Sequence, residues 1–186
     1  MSTAASPRLS ETAGAIGPIV VMGVSGCGKT SVGERLASML DCRYIEGDSR
    51  HPTANVEKMR QGIPLDDADR WPWLDVLGTE LGDDARTIIS CSALKRSYRD
   101  LLRARAGRPV TFVFLQGTRT LLASRMGARE GHYMPLSLLD SQLATLELPQ
   151  SERDVVTVEI DQPLERIVHD AIARIAAFGF ATATDN

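Results

Sequence analysis

Eight residues constrain this chain more than any other feature: Gly23-Val24-Ser25-Gly26-Cys27-Gly28-Lys29-Thr30. They lie between an apolar run, Pro18 to Met22, and a segment from Thr30 to Leu40 that carries Val32, Leu36, Met39 and Leu40 at helical spacing. The run reads as a buried strand, and the glycines let the backbone curl between strand and helix. In the pattern G-x-x-x-x-G-K-[ST], successive N–H groups face an anion at the positive end of the following helix dipole. Ordinary residue usage would produce the pattern by chance in about one chain in a hundred of this length or fewer. The spacing is therefore read as a phosphate-binding loop, and a chain that carries one is expected to fold as an α/β domain.

The remainder of the sequence fits that frame. Short apolar runs alternate with longer amphipathic ones, the pattern of βαβ units around a parallel sheet. Further strands are expected at Cys42 to Glu46, Thr87 to Cys91, Val110 to Leu115 and Val155 to Ile160. Helices are expected at Arg96 to Arg105, Arg119 to Ala128, Pro135 to Leu146 and Pro163 to Phe178. Between Pro52 and Leu81 the helical pattern is interrupted by Gly62, Pro64 and Pro72, which predicts two or three short helices in the place of a substrate-binding insert. No internal repeat is visible. The expected architecture is a three-layer domain over 18–178, with a central parallel sheet flanked by helices, a helical insert and a short lid at about 125–135.

Residues 1–17 are rich in Ala, Ser, Thr, Gly and Pro and read as a disordered leader, while 179–186 read as a frayed tail. The leader has no continuous apolar core of the signal-peptide kind, and its single arginine, Arg8, argues against a transit peptide. Nowhere do about 18 apolar residues run together, so no membrane span is expected. With 186 residues the chain makes one domain with a core of its own, and a net charge of −3 from well-mixed signs implies no general affinity for nucleic acid. Cys27, Cys42 and Cys91 show neither C-x-x-C spacing nor a disulfide framework, which suits reduced thiols in a cytoplasmic protein.

A phosphate loop of this kind points to a nucleotide. Lys29 is expected to hold the β and γ phosphates of ATP, and Thr30 to offer its hydroxyl to Mg²⁺. Gly23, Ser25, Gly26, Cys27, Gly28 and Ser31 complete the expected nucleotide contacts, with Cys27 read as a small residue that fits rather than a reactive thiol. The loop alone leaves kinase, GTPase, motor and nucleotide-switch functions open. Asp48, just beyond the second strand, stands where small P-loop kinases place an acidic residue that orients or deprotonates an acceptor hydroxyl; an Asx turn or helix cap is the alternative.

The ordered motifs decide among these. Glu46-Gly47-Asp48 with His51-Pro52, Asn55-Val56-Glu57-Lys58-Met59, Gly62-Ile63-Pro64-Leu65, Asp67-Ala68-Asp69-Arg70, Pro72-Trp73-Leu74, Cys91-Ser92-Ala93-Leu94-Lys95, Tyr98-Arg99-Asp100, the segment Arg129 to Met134 and Asp161-Gln162-Pro163 follow the phosphate loop in order. Through them the chain resembles the P-loop gluconokinases over most of 18–178. It departs from the family at Cys27, usually Ser, at Glu46, often Asp, and at Ala68, commonly acidic; by resemblance neither Cys27 nor Glu46 contributes a group that the mechanism needs. Shikimate kinases and nucleoside or nucleotide kinases share the loop and the layout, and a non-catalytic nucleotide switch would leave the cations after the third strand unexplained.

The resemblance implies ATP-dependent phosphorylation of the terminal hydroxyl of D-gluconate, in a cytoplasmic homodimer. A linear polyhydroxy acid calls for cations at its carboxylate and hydrogen-bonding groups at its hydroxyls. Lys58, Arg70, Lys95 and Arg99 are the candidate cations, with His51, Ser92 and Gln142 as hydroxyl partners and Asp48 at the acceptor proton. Which cation meets the carboxylate is left open by spacing. Arg125 and Arg129 flank the expected lid and would clamp the transferring phosphoryl, an exposed basic helix end being the alternative. Gln162 and Pro163 would lie by the adenine. Trp71 and Trp73 read as packing residues.

Overall fold

Four consecutive apolar residues without polar alternation need cover on both faces, and strand β1 (Ile19–Met22) is buried along its whole length. The computed structural model describes residues 17–127 and 136–183. Residues 1–16 of the expected leader, residues 128–135 of the expected lid with Arg129, and residues 184–186 lie outside the described residues. Four further strands follow, β2 (Arg43–Glu46), β3 (Thr87–Cys91), β4 (Thr111–Gln116) and β5 (Val155–Glu159), in one sheet of order β2-β3-β1-β4-β5. Every neighbouring pair is parallel.

Seven α-helices among the described residues flank this sheet: α1 (Lys29–Leu40), α2 (Thr53–Arg60), α3 (Asp67–Asp83), α4 (Arg96–Ala106), α5 (Arg119–Gly127), α6 (Leu136–Thr145) and α7 (Leu164–Ala183). A 3₁₀ turn, Gly47–Arg50, follows β2. Helix α1 buries Val32, Leu36 and Leu40 against the sheet, one apolar face at four-residue intervals, and stops where Asp41 turns left-handed at φ 54°. It packs with α7, while α3 packs with α4.

Two expectations need correction. The insert contains two helices, within the number expected, but the second is 17 residues long and Pro72 lies inside it rather than ending it. A proline at such a position costs about 3 kcal/mol or more. Against that, α3 buries Trp73, Leu74, Leu77 and Leu81 almost completely, at about 1.5–3 kcal/mol per large side chain, and starts on a reciprocal capping box between Asp66 and Asp69. The other is at the end of the chain, where α7 runs on through 179–183 although Gly179 and Thr182 are poor helix formers.

The sheet order fixes where chemistry can collect. From β1 the chain runs first to β2 and β3 on one side and then to β4 and β5 on the other, so the reversal of strand order falls at β1. Ligands in open α/β sheets gather beyond the carboxyl ends of the strands at such a reversal. Met22, Cys91 and Phe114 are in register there, and Glu46 pairs with Ser90 one strand over.

Candidate active site

The loop after Met22 turns through three glycines with positive φ, Gly23, Gly26 and Gly28, before α1 begins at Lys29. At Gly26, with φ of 81°, a Cβ would come within 2.9 Å of the Leu122 carbonyl oxygen, so both conformation and space require glycine. Lys29 Nζ donates to the Val24 carbonyl at 3.1 Å, which folds the lysine back over its own loop. Cys27 is fully buried, and that burial pushes its thiol up, in keeping with a space-filling residue. The Ser25 N–H donates to Gln142 Oε1 at 2.7 Å, tying α6 to the loop.

Thr30 Oγ1 donates to Glu46 Oε2 at 2.7 Å. The same carboxylate accepts from Tyr44 Oη at 2.9 Å and from the Ser90 hydroxyl. Burial alone would raise the Glu46 carboxyl, but the hydrogen bonds from Ser90, Thr30 and Tyr44 hold it below the usual range, so it is an anion beside the threonine. Sequence reasoning assigned Glu46 no group of use. The available signal was its place at the carboxyl end of β2, next to the strand that pairs with β1.

Gly47 follows, and a Cβ there would lie 2.0 Å from the Ser90 carbonyl oxygen. That close approach brings the 3₁₀ turn against β3 and presents Asp48, whose side chain is 66% exposed, to the cleft. His51 ends the turn. Its ring stacks on Trp73 with centroids 4.0 Å apart, and the Trp73 indole N–H donates to the Gly47 carbonyl at 2.8 Å. Burial pushes His51 down from 6.5 to about 4; Asp48 opposes this and Arg70 adds to it, so the ring is neutral at pH 7.

One cleft gathers Ser25, Lys29, Asp48, His51, Arg70, Ser92 and Gln142. Leu65, Leu94 and Leu138 supply apolar wall. Arg70 is buried, donates from Nε to the Leu65 carbonyl at 3.3 Å and lies 3.4 Å from Ser92 Oγ. A second cavity runs along the other side of the loop, where Gly26, Cys27, Gly28, Ser31, Arg125 and Gln162 line it. Arg125 donates to the Ile160 carbonyl at 2.6 Å, Gln162 donates to the Glu159 carbonyl at 2.9 Å, and Pro163 opens α7 by accepting from Arg166 and Ile167.

Three of the four candidate cations do not line this cleft. Lys58 pairs with Asp69 at 2.6 Å, Lys95 with Asp67 at 2.7 Å, and both carboxylates are held below their usual range by those hydrogen bonds. Arg99 is fully buried, bonded to Glu152 and to the carbonyls of Ala93, Leu94 and Glu147. Its charge organises the segment after β3, where Ala93 is held at a φ of 42°. Spacing could not reveal these partners because Asp69, Asp67 and Glu152 lie 11, 28 and 53 residues away.

The arrangement can do one kind of chemistry well. A glycine cradle with a lysine sits beside a carboxylate, with a buried arginine and hydroxyl-matching groups in the same cleft. Among the described residues no helix is long and apolar enough to cross a membrane.

Comparison with known proteins gives four consistent findings. The family described as an AAA domain matches residues 19–149. A gluconokinase of Gluconobacter oxydans is 45% identical over 163 residues, covering 86% of this chain and 91% of that protein. The thermoresistant gluconokinase of Escherichia coli is 45% identical over 159 residues, covering 82% and 90%. Among solved structures, a gluconokinase from Sinorhizobium meliloti superposes with a TM-score of 0.86 at 50% identity, covering 91% of this chain and 97% of that one.

Proposed function

We propose, from the premise that this chain belongs to the gluconokinase family, that it transfers the γ-phosphoryl of ATP to the terminal hydroxyl of D-gluconate, giving 6-phospho-D-gluconate. The single observation that carries the reading is the shared cleft, in which Lys29 of the phosphate loop and Asp48 of the turn after β2 line one wall system with Arg70 and Ser92.

The chain's own groups account for each requirement. The loop N–H groups and Lys29 bind the phosphates, and the cavity lined by Arg125 and Gln162 suits the base and ribose. Arg70, already desolvated and anchored by two hydrogen bonds, is the cation suited to the gluconate carboxylate, with Ser92, His51 and Gln142 toward the hydroxyls. Asp48 accepts the proton of the terminal hydroxyl as its oxygen bonds to the γ phosphorus. The bond from that phosphorus to the bridging oxygen breaks, and ADP leaves. Arg129, outside the described residues, is assigned to clamp the phosphoryl in transit.

The hydroxyl of Thr30 and the anionic Glu46 behind it form the hard oxygen donor set that Mg²⁺ prefers. Thr30 would hold the ion, which when bound offsets charge on the β and γ phosphates. The reading also assigns the enzyme to the cytoplasm, in line with three free cysteines, and to a homodimer.

A coupled assay of ADP release across gluconate, shikimate and nucleosides tests the acceptor. Turnover with gluconate and not with the others is expected. Turnover with shikimate but not gluconate, or ATP binding without acceptor-dependent ADP release, would overturn the reading.

A further inference from the structure

Helix α2 buries one residue, and it is polar: Asn55 is 3% exposed. Its Nδ2 donates to the Asp69 main-chain carbonyl at 2.8 Å and lies 3.3 Å from His51 Nδ1. A carbonyl oxygen can only accept, so the Asn55 atom that faces it is the amide nitrogen. That nitrogen carries two hydrogens, and the second faces the imidazole. Nδ1 of His51 must then accept, which leaves the hydrogen of the neutral ring on Nε2.

The rest of the surroundings fix where that hydrogen points. Trp73 holds the ring plane by stacking at an interplanar angle of 19°, and is itself bonded to the Gly47 carbonyl, one residue before Asp48. His51 Nε2 lies 3.9 Å from Asp48 Oδ1. The charged groups facing the ring are Asp48 from the 3₁₀ turn and Arg70 from α3; Asn55 and Trp73 are neutral.

We propose that Asn55 is a positioning residue of the acceptor site: by donating to Nδ1 it holds His51 as the Nε2–H tautomer, so that His51 serves there as a hydrogen-bond donor and Asp48 as the proton acceptor. The proposal rests on the acceptor reading given above for what is bound beside these two residues. The tautomer itself does not depend on that reading. That Asn55 is the one fully buried residue of α2, with Val56 and Met59 only half-buried, also gains a reason, because the helix is seated by the amide that sets the ring.

Two-bond ¹H–¹⁵N correlation spectra of the ¹⁵N-labelled full chain read the tautomer directly, with the His51 signals identified by their loss in His51→Gln. At pH 7 the wild-type ring is expected in the Nε2–H form. Asn55→Asp puts a carboxylate opposite Nδ1 and is expected to move the proton there. It should also lower kcat on gluconate by roughly tenfold, the scale of one lost hydrogen bond, with the KM for ATP little changed. An Nδ1–H ring in the wild type would overturn the proposal, and so would a folded Asn55→Asp chain that keeps the Nε2–H form and normal kcat. If Asn55→Asp fails to fold, the wild-type spectrum alone decides. Gluconate turnover with an Nδ1–H ring contradicts the role of Asn55 only; an Nε2–H ring in a chain that phosphorylates shikimate and not gluconate contradicts the acceptor reading only.

Discussion

Asp48 and His51 stand three residues apart on one turn and hold opposite ends of a proton's path. Asp48 is exposed to the cleft and free to accept, whereas His51 is buried on Trp73 and neutral. Removing the acceptor should therefore cost rate: Asp48→Asn is expected to lower kcat by at least about a hundredfold, the scale of general-base loss, with the fold intact by circular dichroism. A near-normal kcat would refute the assignment. His51 makes a separate prediction about stability. Its folded value is about 4 against 6.5 for the free side chain, so the unfolded chain takes up the proton first as pH falls. Stability is then lost progressively from about pH 6.5 down through pH 4, and urea melts of His51→Gln across that window should show a flatter decline than the wild type. Much at this scale was legible in the sequence, because a glycine with a forced φ, a lysine and a threonine in fixed order have few other uses. Glu46 was not, since its value comes from three hydroxyl partners on α1, β2 and β3 that only the tertiary fold brings together.

Helix α3 and the segment after β3 show why elements were harder to read than motifs. Pro72 carries a strong local signal to stop a helix, and four buried side chains on the same helix override it. Propensity is local, whereas burial is decided by elements far away in sequence. The four candidate cations part for the same reason: spacing left open which of them meets a carboxylate, and only tertiary neighbours set Arg70 in the cleft apart from Lys58, Lys95 and Arg99 in ion pairs. Arg99 ties α4 to the segment carrying Glu147 and Glu152, and burial of Glu152 would raise its carboxyl but for the hydrogen bonds from Arg99 and Arg103 that lower it. Arg99→Met leaves that carboxylate buried with one partner fewer. The expected loss is about 3 kcal/mol in urea unfolding, toward the lower end for a broken buried pair because Arg103 remains. A loss under about 0.5 kcal/mol, the range of an ordinary surface substitution, would show that the pair does not hold the segment.

Across the whole molecule, the sheet order determines that the donor loop after β1 and the acceptor groups after β2 and β3 meet at one edge. This was the most legible level: the alternation of apolar and amphipathic runs predicted the five strands to within a residue at each end, because the central parallel strands β1, β3 and β4 are buried on both faces, while the half-exposed edge strands β2 and β5 are bounded by the turns and helices beside them. Assembly is the level on which the sequence is least explicit, since a dimer face needs no motif. Sedimentation equilibrium is expected to give twice the 20.2 kDa chain mass, and a single-chain mass at assay concentration would remove the homodimer from the account. Phosphorus NMR of the product formed from ATP and D-gluconate, with proton coupling retained, identifies the carbon that bears the phosphate. A gluconate-dependent ester whose phosphorus is coupled to the two protons of one methylene group is expected, as a primary terminal carbon requires; an ester coupled to one proton, or ADP formed without any ester, would contradict transfer to the terminal hydroxyl.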